Sequence, residues 1–417
     1  MDSHDSVSHW QHTSQPLSLS TEVPETVDVA VIGGGLLGAA TCYWLARAGI
    51  RVALLERHSP AYGATGRNGG FVRAGSAVSY PAAIDQFGQE TARAVMTLTS
   101  RSRALLSQVV EEEGIACDYR EPGSLRLTLS EEQVEESMHE VELLQADGFS
   151  AQFLNREQTQ ALIKTPLAPD ILGGRFLPGQ GLVHSARLVQ GLVQAALRYG
   201  TQAYQADVHE LVPEGSAVHL HTTRGDISAG TAVVAVNAWT GTLLPSLFDV
   251  IMPEREQMLA YAPLPPVFST SVSAGIVNGE YWQQTPDGTI LIGGCNSVAP
   301  NGDLGVWETQ PTTVVQEAIE QILPRLFPSL APLQVVRRWA GTLGCTTDMH
   351  PIVDWAPEVP HTCFVGGFTG HGMPFGMRFG QLLAEAVTSQ TMPADLEPYR
   401  MNRPTLRKWS LHSSLHT

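Results

Sequence analysis

The chain has 417 residues, enough for a large core and more than one domain. With 43% hydrophobic and 16% charged residues it is composed like a globular protein, and its net charge of −16 excludes the basic footprint of a nucleic-acid binder. No apolar run reaches the roughly 18 residues of a membrane span. Five scattered cysteines without a CxxC point to a reducing, cytoplasmic setting and to no metal site.

The first 25 residues are polar and lack the basic and apolar regions of a signal peptide, so residues 1–25 are expected to form a disordered tail. Val27–Ile32 reads as a buried parallel strand, Leu36–Ala48 as a helix and Arg51–Glu56 as a second strand, which together make one βαβ unit. A glycine-rich loop, "GATGRNGGFVRAG", follows. Helical stretches are expected near 84–113 and 130–147, with a short strand pair around "CDYREPGSLRLTL" between them. An amphipathic helix then precedes strands in "AYQADVHELV", "AVHLHTTRG" and "ISAGTAVVAVNAW". "YWQQTPDGTILIGG" carries a hairpin signal. The chain returns to an α/β pattern with "HTCFVGGF", a glycine loop and the helix-like "FGMRFGQLLAEAV". The predicted class is α/β. A Rossmann-like nucleotide domain is built from the separated segments 26–83, 165–250 and 336–400. A mostly antiparallel sheet domain with helices, 84–164 and 251–335, is inserted between them.

Gly33, Gly35 and Gly38 form a G-x-G-x-x-G between the first strand and the helix. Gly33 permits the tight turn, Gly35 a close approach to a pyrophosphate, and Gly38 close packing of helix on strand. The helix N-terminus then meets phosphate with free N–H groups. Glu56, at the end of the next strand, is placed to bind ribose hydroxyls and would repel a 2′-phosphate. Two further glycine segments favour FAD over NAD. "GATGRNGG" turns the chain back over the cofactor. "GGFTGHGMPFG" brings flat backbone and a helix N-terminus, expected near Pro374, against a ring that becomes negative on reduction.

These motifs, together with the run "RWAGT…TTDMHPIVD", resemble the flavin-dependent D-amino acid oxidase superfamily, and within it the sarcosine oxidase, glycine oxidase and γ-glutamylputrescine oxidase group. The resemblance spans roughly residues 27–395. It implies bound FAD and oxidation of a C–N bond in an amine or amino acid: hydride passes to flavin N5, the imine hydrolyses, and O2 as acceptor yields H2O2. It places Gly33, Gly35, Gly38, Glu56 and Arg57 at the ADP part, and Ala64, Thr65, Arg67, Asn68 and Gly69 along the pyrophosphate and flavin. Backbone of Val208 falls at the adenine. Gly370, His371, Gly372 and Met373 fall against the isoalloxazine. Asn237 and Trp239 match a strand end that closes over FAD, as contacts or as packing.

The chain also departs from that group. Where sarcosine oxidases attach flavin covalently through cysteine, the position here is Gly341, with Cys345 four residues out of register, so non-covalent FAD is expected. The positions that hold a substrate carboxylate fall at Gly70, Leu343 and Pro374, all uncharged, which points away from a small α-amino acid and toward an amine. Arg73 and Arg378 are the candidate replacement cations. The oxygen-activating lysine falls near Leu291, and the only lysines are Lys164 and Lys408. That leaves His371 either as the positive charge near the flavin or as support for its face. Met258, Tyr261, Tyr281 and Trp282 are candidates for an aromatic substrate cage or, alternatively, core residues of a sheet. His371, Tyr281 and Arg73 are the catalytic candidates. A dehydrogenase feeding a quinone or carrier, and a non-catalytic flavoprotein subunit, stand as alternatives.

Overall fold

The computed structural model describes residues 6–330 and 332–410. Its first sheet is built on the apolar strand Thr26–Ile32, flanked in parallel by Val52–Glu56 and by Gly225–Val234. Gln202–Gln205 extends one edge, and Thr362–Gly366 with the antiparallel Ile352–Trp355 extends the other. A hairpin, Val208–Glu214 and Ala217–Thr222, runs off Gly225–Val234. Strands buried on both faces need cover on both. On one face, Leu36–Arg47, Ser185–Arg198, Gly376–Ser389 and Gln89–Glu112 share a core with Val29, Val31, Leu54 and Val233. On the other, Val218, Leu220, Leu247 and Ile251 close over Ala30, Ile32 and Leu55.

The second sheet orders its strands as Val335–Cys345, Met252–Tyr261, Ile290–Gly293, Tyr281–Gln284, Ser271–Ser273, Ser124–Thr128, Gly173–Leu177 and Gln152–Asn155. All its neighbours are antiparallel except Ser271–Ser273 beside Ser124–Thr128. One face packs on the helix Thr313–Leu326 through Leu259, Tyr261, Trp282 and Ile292. The other face turns toward the first sheet. The expected hairpin is present, with Tyr281–Gln284 paired to Ile290–Gly293. No helix among the described residues is long and apolar enough to cross a membrane.

Three expectations are corrected. The tail expectation fails for residues 6–25. Trp10 is 2% exposed and joins the main core, and His9–His12 is a helical turn capped by Ser8. Residues 1–5 lie outside the described residues. One indole supplied enough buried area to order a segment whose average composition is polar. The short strand pair around "CDYREPGSLRLTL" is also replaced. Ser124–Thr128 pairs with the distant Gly173–Leu177 and Ser271–Ser273. The segment boundaries at 165 and 336 shift, because Gly173–Leu177 and Val335–Cys345 hydrogen-bond into the second sheet. Long-range pairing of this kind leaves no local signature.

Candidate active site and cofactor cleft

The cofactor cleft begins where Thr26–Ile32 ends. Gly33 has φ +107°, and a Cβ there would sit 2.6 Å from the Ala235 carbonyl. A Cβ at Gly38 would lie 1.9 Å from the Gly33 carbonyl, so both positions admit glycine alone. Gly35 caps the helix Leu36–Arg47 with no side chain of its own; Leu36 N donates to Thr65 Oγ1 at 3.3 Å, and the donors after it are left to a ligand. Glu56 is clamped in place, its Oε2 accepting from Gly34 N at 2.7 Å and its Oε1 from His58 N at 2.8 Å. Burial pushes the Glu56 carboxyl up, and the two backbone donors pull it back.

Gly33, Gly35, Glu56, Arg57, Val208 and Trp239 line one cavity of about 570 Å³. The Arg57 guanidinium lies 5.6 Å from the centre of the Trp239 ring, which in turn contacts Trp307 at 5.6 Å. Asn237, also on this wall, accepts from Gly367 N through Oδ1 at 3.0 Å, so it ties the two strand ends together. Ala64, Thr65, Arg67, Asn68, Gly370, Gly372 and Met373 continue the lining. A dinucleotide fits this surface on three counts: a glycine cradle, a helix N-terminus with free donors and an anchored carboxylate. Glu56→Ala is expected to weaken FAD binding by roughly 1.5–3 kcal/mol, about 10- to 150-fold, through loss of a charge-assisted ribose bond. Titration of the apoprotein with FAD checks this, and an unchanged Kd refutes the ribose role.

A second cavity, about 550 Å³, shares Ala64, Arg67, Asn68, Leu343, Gly370 and Met373 with the first. The two are therefore halves of one cleft. The second half is lined by Gly69, Phe71, Arg73, Glu254, Glu256, Tyr281, Gly341, Cys345, His371 and Pro374. The helix expected at Pro374 begins at Gly376, two residues later, so Met373 and Pro374 remain in the wall.

Arg73 lines this pocket together with Arg126 and Arg175, the last of which is paired with Glu140 at 2.8 Å. Arg73 stacks 4.9 Å from the Phe71 ring centre, and no ion pair or hydrogen bond reaches it among the described residues. Burial, then the neighbouring Arg175, lower it to about 10. Burial, then Arg73, lower His371 to about 4. The low value favours the second of its two expected roles, support for the flavin's face, and its Nδ1 lies 3.3 Å from the Thr369 carbonyl. Arg378 is excluded as a replacement cation, since it pairs with Asp395 at 2.7 Å and lines neither cavity. Of the two candidate replacement cations, Arg73 alone lines the cleft. Gly70, at φ +73°, is enclosed by Val183, Trp10 and Gln283, so the loop presents its charge three residues later.

Of the four cage candidates, only Tyr281 reaches the cavity. Trp282, next in the strand, points to the opposite core, as alternation requires. Tyr261 is on that same far side. Met258 shares the near face with Glu254 and Glu256 but is 1% exposed in the core beneath. Glu254 and Glu256 went unrecognised in sequence. An i, i+2 pair of acids in a strand otherwise buried was the signal available for them. Tyr281 Oη donates to Glu256 Oε1 at 3.3 Å. Glu254 accepts from Asn296 Nδ2 at 2.6 Å and from Cys345 Sγ at 3.3 Å. Burial and then Glu254 drive the Cys345 thiol well up, so it stays protonated as a donor.

The N-terminal segment covers the glycine loop from outside. Trp10 Nε1 donates to the Asn68 carbonyl at 2.6 Å, Gln11 Nε2 to the Tyr62 carbonyl at 2.9 Å, and Arg67 Nη1 to the Ser6 carbonyl at 2.6 Å. Trp339 Nε1 holds the Arg67 carbonyl from the other side at 2.8 Å.

Comparison with known proteins agrees with this cleft. The chain is 27% identical over 377 residues to a probable oxidoreductase OrdL of Rhizobium meliloti, covering 88% of this chain and 85% of that one. It is 26% identical to a glycine oxidase of Geobacillus kaustophilus, covering 90% and 97%. It is also 26% identical to the γ-glutamylputrescine oxidoreductase of Escherichia coli, covering 86% and 83%. The crystal structure of glycine oxidase from Geobacillus kaustophilus has the same fold, with TM-score 0.80 at 24% identity over 91% of this chain and 99% of that one. The family described as FAD dependent oxidoreductase matches residues 28–386. From cradle, clamped carboxylate and family match together, the chain belongs to the DAO family of FAD-dependent oxidoreductases.

Proposed function

We propose that the protein oxidises a C–N bond in an amine or amino acid whose carboxylate is received by Arg73. The observation that carries this reading is the join between the two cavities, where a dinucleotide cleft opens directly onto a pocket lined by charged side chains. Bound FAD, held along Gly33, Gly35, Glu56, Arg67 and Asn68, would supply the two-electron acceptor for that oxidation, with O2 as the final acceptor giving H2O2. The protein's part is binding, orientation and electrostatics. Arg73 would pair a carboxylate that otherwise costs several kcal/mol to bury. Tyr281 and His371 both belong to the pocket wall. The relatives named as glycine oxidase and γ-glutamylputrescine oxidoreductase support an amino-acid or amine substrate. Free, buried cysteines support a cytoplasmic setting.

The test is anaerobic bleaching of the holoprotein's flavin across amines and amino acids, with peroxide measured under air. Bleaching with peroxide supports the oxidase. Bleaching without peroxide makes it a dehydrogenase, and no bleaching by any compound points to a non-catalytic subunit.

FAD is proposed to be held non-covalently. Gly341 lies at the expected attachment position, and a Cβ there would already press within 2.9 Å of Arg67 Cβ. Acid precipitation is expected to leave all the flavin in the supernatant, and yellow colour in the pellet refutes this.

A further inference from the structure

The proposed oxidation does not by itself need two carboxylates in the substrate pocket, yet Glu254 and Glu256 are both there. They stand two residues apart on Met252–Tyr261, so the pleat turns both to the pocket face. Arg255 between them points away and pairs with Asp303 at 2.7 Å. The hydrogen bonds to the pair come from Tyr281, Asn296, Cys345 and the Gly294 backbone, all neutral donors. Among the described residues no arginine or lysine forms an ion pair with either acid. Burial, then the Glu254 carboxylate, push Glu256 up to about 8. Glu256 therefore keeps its proton near pH 7 in the substrate-free protein, and a cation seated beside the two acids favours the ionised form of both.

A second observation points to the same ligand. Arg73, largely buried and without an ionic partner, lines the same pocket. Among the described residues Arg73 thus lacks an ion-pair partner, and so does the Glu254–Glu256 pair, whereas Arg175 and Glu140 in the same lining pair with each other.

We propose that the substrate carries, besides the amine that reacts, a second ammonium group seated between the Glu254 and Glu256 carboxylates. The substrate class is a basic amino acid or a carboxylated diamine, with its carboxylate on Arg73. This rests on the amine-oxidising reading above. The second ammonium takes no part in the oxidation. It fixes the length of the substrate and so selects which carbon lies over the flavin.

The test uses the FAD-loaded protein without oxygen and two matched probe pairs, lysine with norleucine (both enantiomers) and cadaverine with pentylamine. Kd is taken from the perturbation of the flavin spectrum, which needs no turnover, and the bleaching rate is recorded separately. The charged member of at least one pair is expected to bind about tenfold tighter or more. That ratio is expected to fall to about one in Glu254→Gln/Glu256→Gln, with flavin content reporting on its fold. The wild-type comparison and single Glu254→Gln decide the matter if the double variant fails to fold. Equal Kd values within both pairs, no perturbation by any probe, or an advantage that survives in the double variant overturns the proposal. Tighter binding of the charged probe without bleaching leaves this proposal standing and counts against the oxidation reading. Equal bleaching and equal binding counts against this proposal alone.

Discussion

Arg73→Met is expected to lower kcat/KM for carboxylate-bearing substrates by about 2–5 kcal/mol, at least some 30-fold, the cost of truncating one partner of a buried charge pair. The same change is expected to raise the melting temperature of the substrate-free protein. Arg73 is desolvated beside Phe71, with burial and Arg175 both working against its charge and no anion to offset them. Methionine keeps the volume and removes that burden. The two effects have opposite signs, so they separate a ligand-binding arginine from a structural one, whose loss would lower stability. The measurements are steady-state kinetics on an amino acid and its decarboxylated analogue, with thermal melts of each protein. Equal losses on both substrates, or a lowered melting temperature, would show that Arg73 is not the carboxylate partner.

Deleting residues up to Ser14 is expected to strip the protein of most of its FAD. The segment hides Trp10 in the core and holds Asn68, Tyr62 and Arg67 through hydrogen bonds of 2.6–2.9 Å. Asn68 and Arg67 line both halves of the cleft, so their backbone must be fixed before FAD can lie along it. Losing a buried tryptophan alone costs about 3–5 kcal/mol, and here the loss falls on the wall of the cleft. Trp10→Ala should reproduce most of the effect in the full-length chain. The ratio of flavin to protein absorbance after gel filtration is the readout, and a fully yellow truncated protein would refute it.

The sequence alone determined the nucleotide half. Gly33, Gly35, Gly38 and Glu56 lie within one continuous βαβ unit, where local sterics and hydrogen bonding set the backbone path, so spacing is sufficient evidence for its fold. The loop after Glu56 and the Gly370–Met373 turn were legible for the same reason, since close approach of backbone to a flat ligand demands glycine in short, recognisable runs. Only the tertiary structure decided the substrate half. Its wall is assembled from strands far apart in sequence, Ser124–Thr128 against Ser271–Ser273 and Met252–Tyr261 against Val335–Cys345. Which side of each strand meets the pocket is a matter of register, and a shift of one residue would exchange Tyr281 for Trp282 or Glu256 for Gln257. The polar N-terminus was misjudged on a related ground. Average composition does not reveal that Trp10 finds a place in the core, because that place exists only once the loop at Asn68 and the helix Ser185–Arg198 have come together.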